Sequence, residues 1–287
     1  MGMSSHNVKV GFRDFSQEVD WGGGRWREDY PAKNAGNTEH ARVARSEDLD
    51  TESTRLHGEL PVQRPIQLIG IVLPNASISA EFRLVRYDYF GDEIDDTGFK
   101  KIYPEVYNVD SMVWEDERFW TQSYTQEEIL RMRFCRPYDT EDYRLTKEID
   151  LEFRDPENDD GFLDVSYIAL AESWQLSVNI NYGATHEFES RSKVVQARGG
   201  AKAFDRLPKP RRFSGSIDYL PHDEAMDKVY ELQRQLDVTD AFLFHPYPEE
   251  PQQWLRTTFI ARQRQLNPIE RAVYGHDTVQ LELEEVM

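Results

Sequence analysis

The sequence predicts a mainly β protein: a β-sandwich over residues 61–185, a small α+β domain over 186–287, and an N-terminal arm, or the first strands, over 1–60. Three observations carry this. Short runs alternate apolar and polar residues, as at Ile149, Leu151 and Phe153, the period of a half-buried strand. Ile66–Leu73 is largely apolar and rich in β-branched residues, which suits a central strand. The clearest helical stripe, Ala225, Val229, Leu232 and Leu236, lies far towards the C-terminus.

Residues 1–60 are polar and irregular, which predicts an extended arm with one short strand near Val8–Phe12. Gly22-Gly23-Gly24 is no phosphate loop, because no Gly-Lys-Ser/Thr follows it. In the body, Ile66–Leu73 runs into the turn Pro74–Ser77 and the alternating strand Ala80–Tyr87. Asp92–Gly98 is an acidic loop, and Ile102–Val113 is extended with a break at Pro104. Thr125 stands three residues before Glu128, a capping box ahead of a strand or short helix at Leu130–Phe134. Two strand-like runs, Ile149–Phe153 and Phe162–Leu170, flank the acidic segment Asp155–Gly161, read as a solvated hairpin turn. Ile69, Ile71, Leu73, Phe82, Leu84, Leu151, Phe153, Leu163, Val165 and Ile168 should supply much of the core.

Beyond residue 186, Arg212–Leu220 reads as a strand and Asp223–Asp237 as a helix, with Pro221 and Asp223 suited to its first turn. Phe242–Phe244 is a short buried strand ended by Pro246 and Pro248, and Leu255–Arg262 and Thr278–Glu284 read as two more. The order β-α-β-β-β gives a small α+β domain.

The chain of 287 residues has room for one large domain or two modest ones. It carries 53 acidic against 34 basic residues, a net charge of −19, and such a surface repels nucleic-acid phosphate. The single cysteine, Cys135, rules out an internal disulfide and a Cys-rich zinc site, and reads as a free thiol in or beside a strand. No apolar run approaches the ~18 residues of a membrane span. The N-terminus lacks an apolar signal core, so synthesis in the cytoplasm is expected.

No H-E-x-x-H, G-x-S-x-G or Walker A motif occurs, and the seven histidines are scattered, none at i, i+2 or i, i+4 from another. No cofactor, catalytic set or metal site is expected. Asp155, Glu157 and Asp159 alternate as Ca²⁺ ligands do, but Gly161 is seventh in the loop where an EF-hand wants it sixth. Trp114, Trp120 and Tyr124 form an aromatic group that reads as the edge of the core, or as a platform for a sugar ring. The sharpest charge anomaly is Arg191–Arg212, with eight basic residues and one acidic one. Its Arg191, Lys193, Arg198, Lys202, Arg206, Arg211 and Arg212 are candidates for a subunit interface with an acidic neighbour.

A series of short motifs runs in order through residues 60–287: Leu73-Pro74-Asn75-Ala76-Ser77, Ala80-Glu81-Phe82-Arg83, Asp155–Leu163, Ile168–Trp174, Asn179–Gly183, Arg211-Arg212-Phe213 and Leu281–Val286. This order resembles minor tail proteins of tailed bacteriophages and prophages, whose body is similar to the galactose-binding-like, or discoidin-like, jelly-roll sandwich. The resemblance implies a non-enzymatic component of a tail tip or baseplate in the virion. Its partners would be further copies of itself and neighbouring tail proteins, and a cell-surface glycan in the adhesin alternative. No nucleic-acid or membrane partner is implied.

Overall fold

The computed structural model describes residues 7–107, 113–115, 118–131, 133–140, 142–196, 199–205 and 207–287. Up to residue 176 the strands are β1 (Lys9–Asp14), β2 (Asp20–Gly22), β3 (Ala44–Arg45), β4 (Leu56–Arg64), β5 (Leu68–Val72), β6 (Glu81–Tyr87), β7 (Glu93–Asp96), β8 (Lys100–Lys101), β9 (Arg136–Asp139), β10 (Thr146–Arg154), β11 (Asp164–Val165) and β12 (Tyr167–Gln175). Then follow β13 (Thr185–Phe188), β14 (Lys193–Gln196), β15 (Lys202–Asp205), β16 (Arg211–Pro221), β17 (Phe242–His245), β18 (Phe259–Gln263), β19 (Ile269–Val273) and β20 (His276–Glu285). Among the described residues the helices are few and short. The chain divides into two compact units, residues 1–176 with 242–260, and residues 177–241 with 261–287. These limits differ from the sequence division at 60/61 and 185/186.

The first unit is an antiparallel sandwich. One sheet runs β17-β1-β12-β5-β9 and the other β2-β4-β10-β6-β7. Ile69 and Ile71 of β5 and Ile168 and Leu170 of β12 join Phe82 and Leu84 of β6 and Ile149, Leu151 and Phe153 of β10 in one buried cluster. All ten residues expected in the core are buried there. At the ~25 cal/mol per Å² of apolar burial, such a cluster is the main stabilising term of the unit. The first sheet curls: a Cβ at Gly70 would meet Leu243 Cδ2 and Cys135 Sγ, each at 3.0 Å. Only a glycine lets β5 and Leu243 of β17 approach so closely.

Several expectations need correction. Of the two readings of residues 1–60, the described part, from residue 7 on, forms first strands and not an extended arm: Val10 of β1 pairs with Trp174 of β12 and Phe244 of β17 in mid-sheet, and Trp21 is buried. Polar composition hid this, because the partners of β1 lie more than 150 positions away. Asp155–Gly161 is not a solvated hairpin turn, since β10 pairs with β4 and β6 while β12 pairs with β1 and β5 in the other sheet. The segment crosses between sheets. Asp155 is buried, accepts from the Ser77 amide at 2.9 Å, the Ser77 hydroxyl and Asn158 Nδ2 at 3.0 Å, and so pins the crossing. Within Leu255–Arg262, residues up to Thr257 close the helix Pro251–Thr257, with Pro251 in its first turn, and the strand starts only at Phe259. The capping box forms: the Thr125 amide donates to Glu128 Oε2 at 3.0 Å, and the helix is Gln126–Arg131.

In the second unit, β16 lies between β13 and β20, β19 pairs with β20, and Ala261–Gln263 pair with Glu285–Leu283. Phe213, Ile217, Leu220, Val279 and Leu283 are buried along the central strands. The expected helix is present over His222–Leu236 with Ala225, Val229 and Leu232 buried, but its middle, Ala225–Tyr230, is wound as a π-helix.

Candidate assembly and ligand surfaces

The basic strip divides into three parts. Arg211 is buried and grips Glu285 through Nε at 3.0 Å and Nη2 at 2.6 Å, while its own amide donates to the same carboxylate at 3.0 Å. Arg191 pairs with Glu284 and Arg212 with Glu189 at 2.6 Å. Glu284 also lies 3.7 Å from Arg262 and 4.0 Å from Arg264. Arg191, Arg211 and Arg212 therefore neutralise acids of their own unit and are not a free basic surface. The acidic C-terminal strand β20 is their partner, more than 70 positions away. Arg198 and Arg206 lie outside the described residues.

Lys193 and Lys202 belong to a different feature. Among the described residues β14 and β15 pair only with each other, with Val194 opposite Phe204, Val195 opposite Ala203 and Lys193 opposite Asp205. Directly opposed residues share a face of the ribbon, so Val194 and Phe204 lie on one side and Val195 and Ala203 on the other. Every residue of both strands is exposed, Val194 by 55%, Val195 by 65% and Phe204 by 64%. The ribbon buries neither face. An isolated two-stranded hairpin is marginal in water, and apolar side chains on both of its faces make it more so.

In the first unit, Tyr124 is the half-buried edge of the core. It stacks on Phe134 at 5.5 Å, meets Tyr107 edge-on at 5.9 Å, and accepts from Arg256 Nε at 2.8 Å. Trp114 is 69% and Trp120 80% exposed, and Trp120 meets Phe119 edge-on at 5.4 Å. Among the described residues no ring contact joins Trp114, Trp120 and Tyr124 to one another. Also in the first unit, Lys100, Lys101, Glu105, Arg136, Glu249 and Glu250 are among the residues lining an open cleft of about 720 Å³. Arg136 is buried over the Trp254 ring at 4.6 Å, and burial pushes its guanidinium down to about 10.

Among the described residues no group of three or more His, Cys, Asp or Glu side chains is placed to hold a metal ion, and no helix is long and apolar enough to cross a membrane. The fold does unite one pair that sequence spacing could not. His222 Nδ1 lies 2.7 Å from Asp277 Oδ2, 55 positions away, because Leu220 pairs with Asp277 across β16 and β20.

No protein-family model matches the chain, and no curated protein matches it. Solved structures similar to it include the family 32 CBM from Clostridium perfringens NanJ in complex with galactose, at 12% identity and a TM-score of 0.39 over 57% of this chain and 100% of that one. CpGH89CBM32-4, produced by the same organism and in complex with GlcNAc-α-1,4-galactose, is 10% identical with a TM-score of 0.37, over 59% of this chain and 97% of that one. A family 89 glycoside hydrolase from Clostridium perfringens is 9% identical with a TM-score of 0.38 over 55% of this chain, which spans 14% of that hydrolase. These are distant likenesses of mainly β folds.

Proposed function

We propose that the protein is a non-catalytic assembly component that associates with further copies of itself and, on the motif order described above, serves in a bacteriophage tail tip or baseplate. The observation that carries the assembly reading is the β14–β15 ribbon. Its apolar side chains gain burial only against another surface, and a second copy of this chain is the occupant proposed. Lys193 and Lys202 on the ribbon against a chain of net charge −19 give that contact complementary charge. A ribbon on one subunit meeting a different patch on the next is a heterologous contact, the kind that closes into rings.

The test is sedimentation velocity of the full chain beside a Val194→Asp, Phe204→Asp double variant. The wild type is expected to form a discrete oligomer and the variant to sediment as a monomer. A wild type that stays monomeric at high concentration, alone and mixed with tail proteins, overturns the reading. A ring at the tip in electron micrographs of the particle is the corresponding result for the tail assignment.

A second reading, a carbohydrate-binding adhesin, is favoured by the exposed indoles of Trp114 and Trp120, since flat exposed rings are what sugar C–H faces stack on. A glycan array read with wild type and Trp120→Ala decides it: no wild-type signal on a broad array removes this reading.

A further inference from the structure

The second unit contains a cavity of about 360 Å³ lined by His222, Met226, Tyr230 and Gln233 from the helix, Ile269 and Arg271 from β19, and Asp277 from β20. Two local departures from regular structure adjoin its lining. Between Ile217 and Leu220 β16 takes three steps while β20 takes two, from Val279 to Asp277, so one extra residue bulges. Tyr219 takes it up with a φ of 62°, a conformation that a bulky residue adopts rarely. The helix that follows is wound as π over Ala225–Tyr230, a wider turn that occurs frequently at functional sites.

The decisive group is Asp277. It is 1% exposed, its Oδ2 faces His222 Nδ1 at 2.7 Å, and its Oδ1 is buried with no hydrogen-bond partner. A carboxylate oxygen left unsatisfied inside a protein is costly, so the site is short of one donor. The rest of the lining limits what brings it. Arg271 is exposed and supplies donors, while Gln233 gives its amide N–H to the Asn267 carbonyl at 2.8 Å and keeps its carbonyl oxygen for another donor. The Tyr230 ring, 47% exposed, and Met226 give a flat apolar wall. A cationic ligand would meet Arg271 as a like charge, and an anion would meet Asp277. A hydroxyl both donates and accepts, so a ring bearing adjacent hydroxyls answers Asp277 and Arg271 together and lays its C–H face on Tyr230.

We propose that this cavity is a binding site for a single sugar ring. The proposal is independent of the assembly reading and of the indoles in the first unit. The experiment is saturation-transfer NMR and titration of the full chain with a panel of neutral monosaccharides, repeated on Tyr230→Ala, Arg271→Ala and a Trp114→Ala, Trp120→Ala variant. Both of the first two positions are exposed enough to be changed without unfolding the unit. The expected result is saturable binding with a dissociation constant on the order of 1 mM, weakened about tenfold or more by Tyr230→Ala and by Arg271→Ala and unchanged by the tryptophan variant. No saturable binding to any sugar of the panel overturns the site. So does binding that the tryptophan variant abolishes and Tyr230→Ala leaves intact, which assigns the sugar to the first unit.

Discussion

The two units are held by different forces. The first is closed by carbon: its continuous apolar cluster joins two sheets, and its fully buried guanidinium, Arg86, is satisfied by both oxygens of Asp95 at 2.8 and 2.9 Å, the Ile66 carbonyl at 2.7 Å and the Thr140 hydroxyl at 2.6 Å. The second has a thinner core, and charge ties its central strand β20 to β16 and to neighbouring segments through the arginines around Glu284 and Glu285. It also exposes Phe188, Val194, Val195, Phe204 and Tyr219. The first unit exposes large rings too, among them Tyr89, Phe90, Trp114 and Trp120, but these lie off its strands, whereas the second leaves Val194, Val195 and Phe204 on strands whose every residue is exposed. The contrast teaches that uncovered strand surface, the kind a neighbouring subunit can cover, is to be sought in the second unit, and isolated exposed rings in the first.

The strongest way to break the comparison is to charge the sandwich. Ile71→Asp buries an unpaired carboxylate in the cluster and should cost several kcal/mol, on the order of a domain's whole stability. The chain should lose its far-UV β signal at room temperature. Cooperative native unfolding in urea by this variant would show the carbon-held description to be wrong.

Next comes the charge-held unit. Arg211→Ala leaves Glu285 buried and unpaired and should destabilise that unit by about 3–5 kcal/mol, while Arg211→Met with Glu285→Leu should recover most of the loss. Hydrogen exchange read separately over 177–241 and 242–260 distinguishes the units. Protection lost equally in both would mean that they unfold as one.

A smaller effect separates the units by pH. In the first unit His40 is held down to about 4, by burial and then by Arg133, and His245 to about 3, by burial and then by Lys9 and Arg136. Both are neutral when folded. Below pH 6.5 the unfolded chain binds protons that the folded one refuses, so stability falls as pH falls. The slope is about 1.4 kcal/mol per pH unit for each histidine, continuing to about pH 4 for His40 and about pH 3 for His245. Urea midpoints measured from pH 7 downwards should show this slope, and His245→Gln should remove about half of it. In the second unit His186 shifts the same way, by burial and then Arg211, but it is only partly shielded.

The smallest expected change is in the ribbon. Val194→Asp with Phe204→Asp changes one largely exposed cross-strand pair of the ribbon and should move the stability of the unit by no more than about 0.5 kcal/mol. A large loss of stability would mean that the ribbon supports its own unit, and would remove its availability as an assembly arm.

The sandwich was legible because alternation over Ala80–Tyr87 and Ile149–Phe153 is a local signal that needs no knowledge of partners. What stayed hidden depended on distance along the chain. β1 is set in mid-sheet by β12 and β17, and its own residues, Lys9 to Asp14, are half polar. Arg211 and Arg212 looked like surface charge because Glu284 and Glu285 stand more than 70 positions on. The capping box at Thr125 was readable since its two members are three apart. His222 and Asp277 carry no mutual signal, for only the β16–β20 register makes them neighbours.

The discontinuity of the first unit has a consequence for how the protein is made. β17 pairs with β1, and Leu243 fills the space above Gly11 and Gly70. On the ribosome, a chain extended to residue 176 already contains the second sheet and most of the first but lacks β17, the strand that pairs with β1 and supplies Leu243. That strand emerges only after some 65 residues of the other unit have been synthesised. The first unit therefore waits, incomplete, for part of the second to leave the exit tunnel, and expression of residues 1–176 alone should yield an aggregation-prone fragment that a separately supplied 242–260 segment improves.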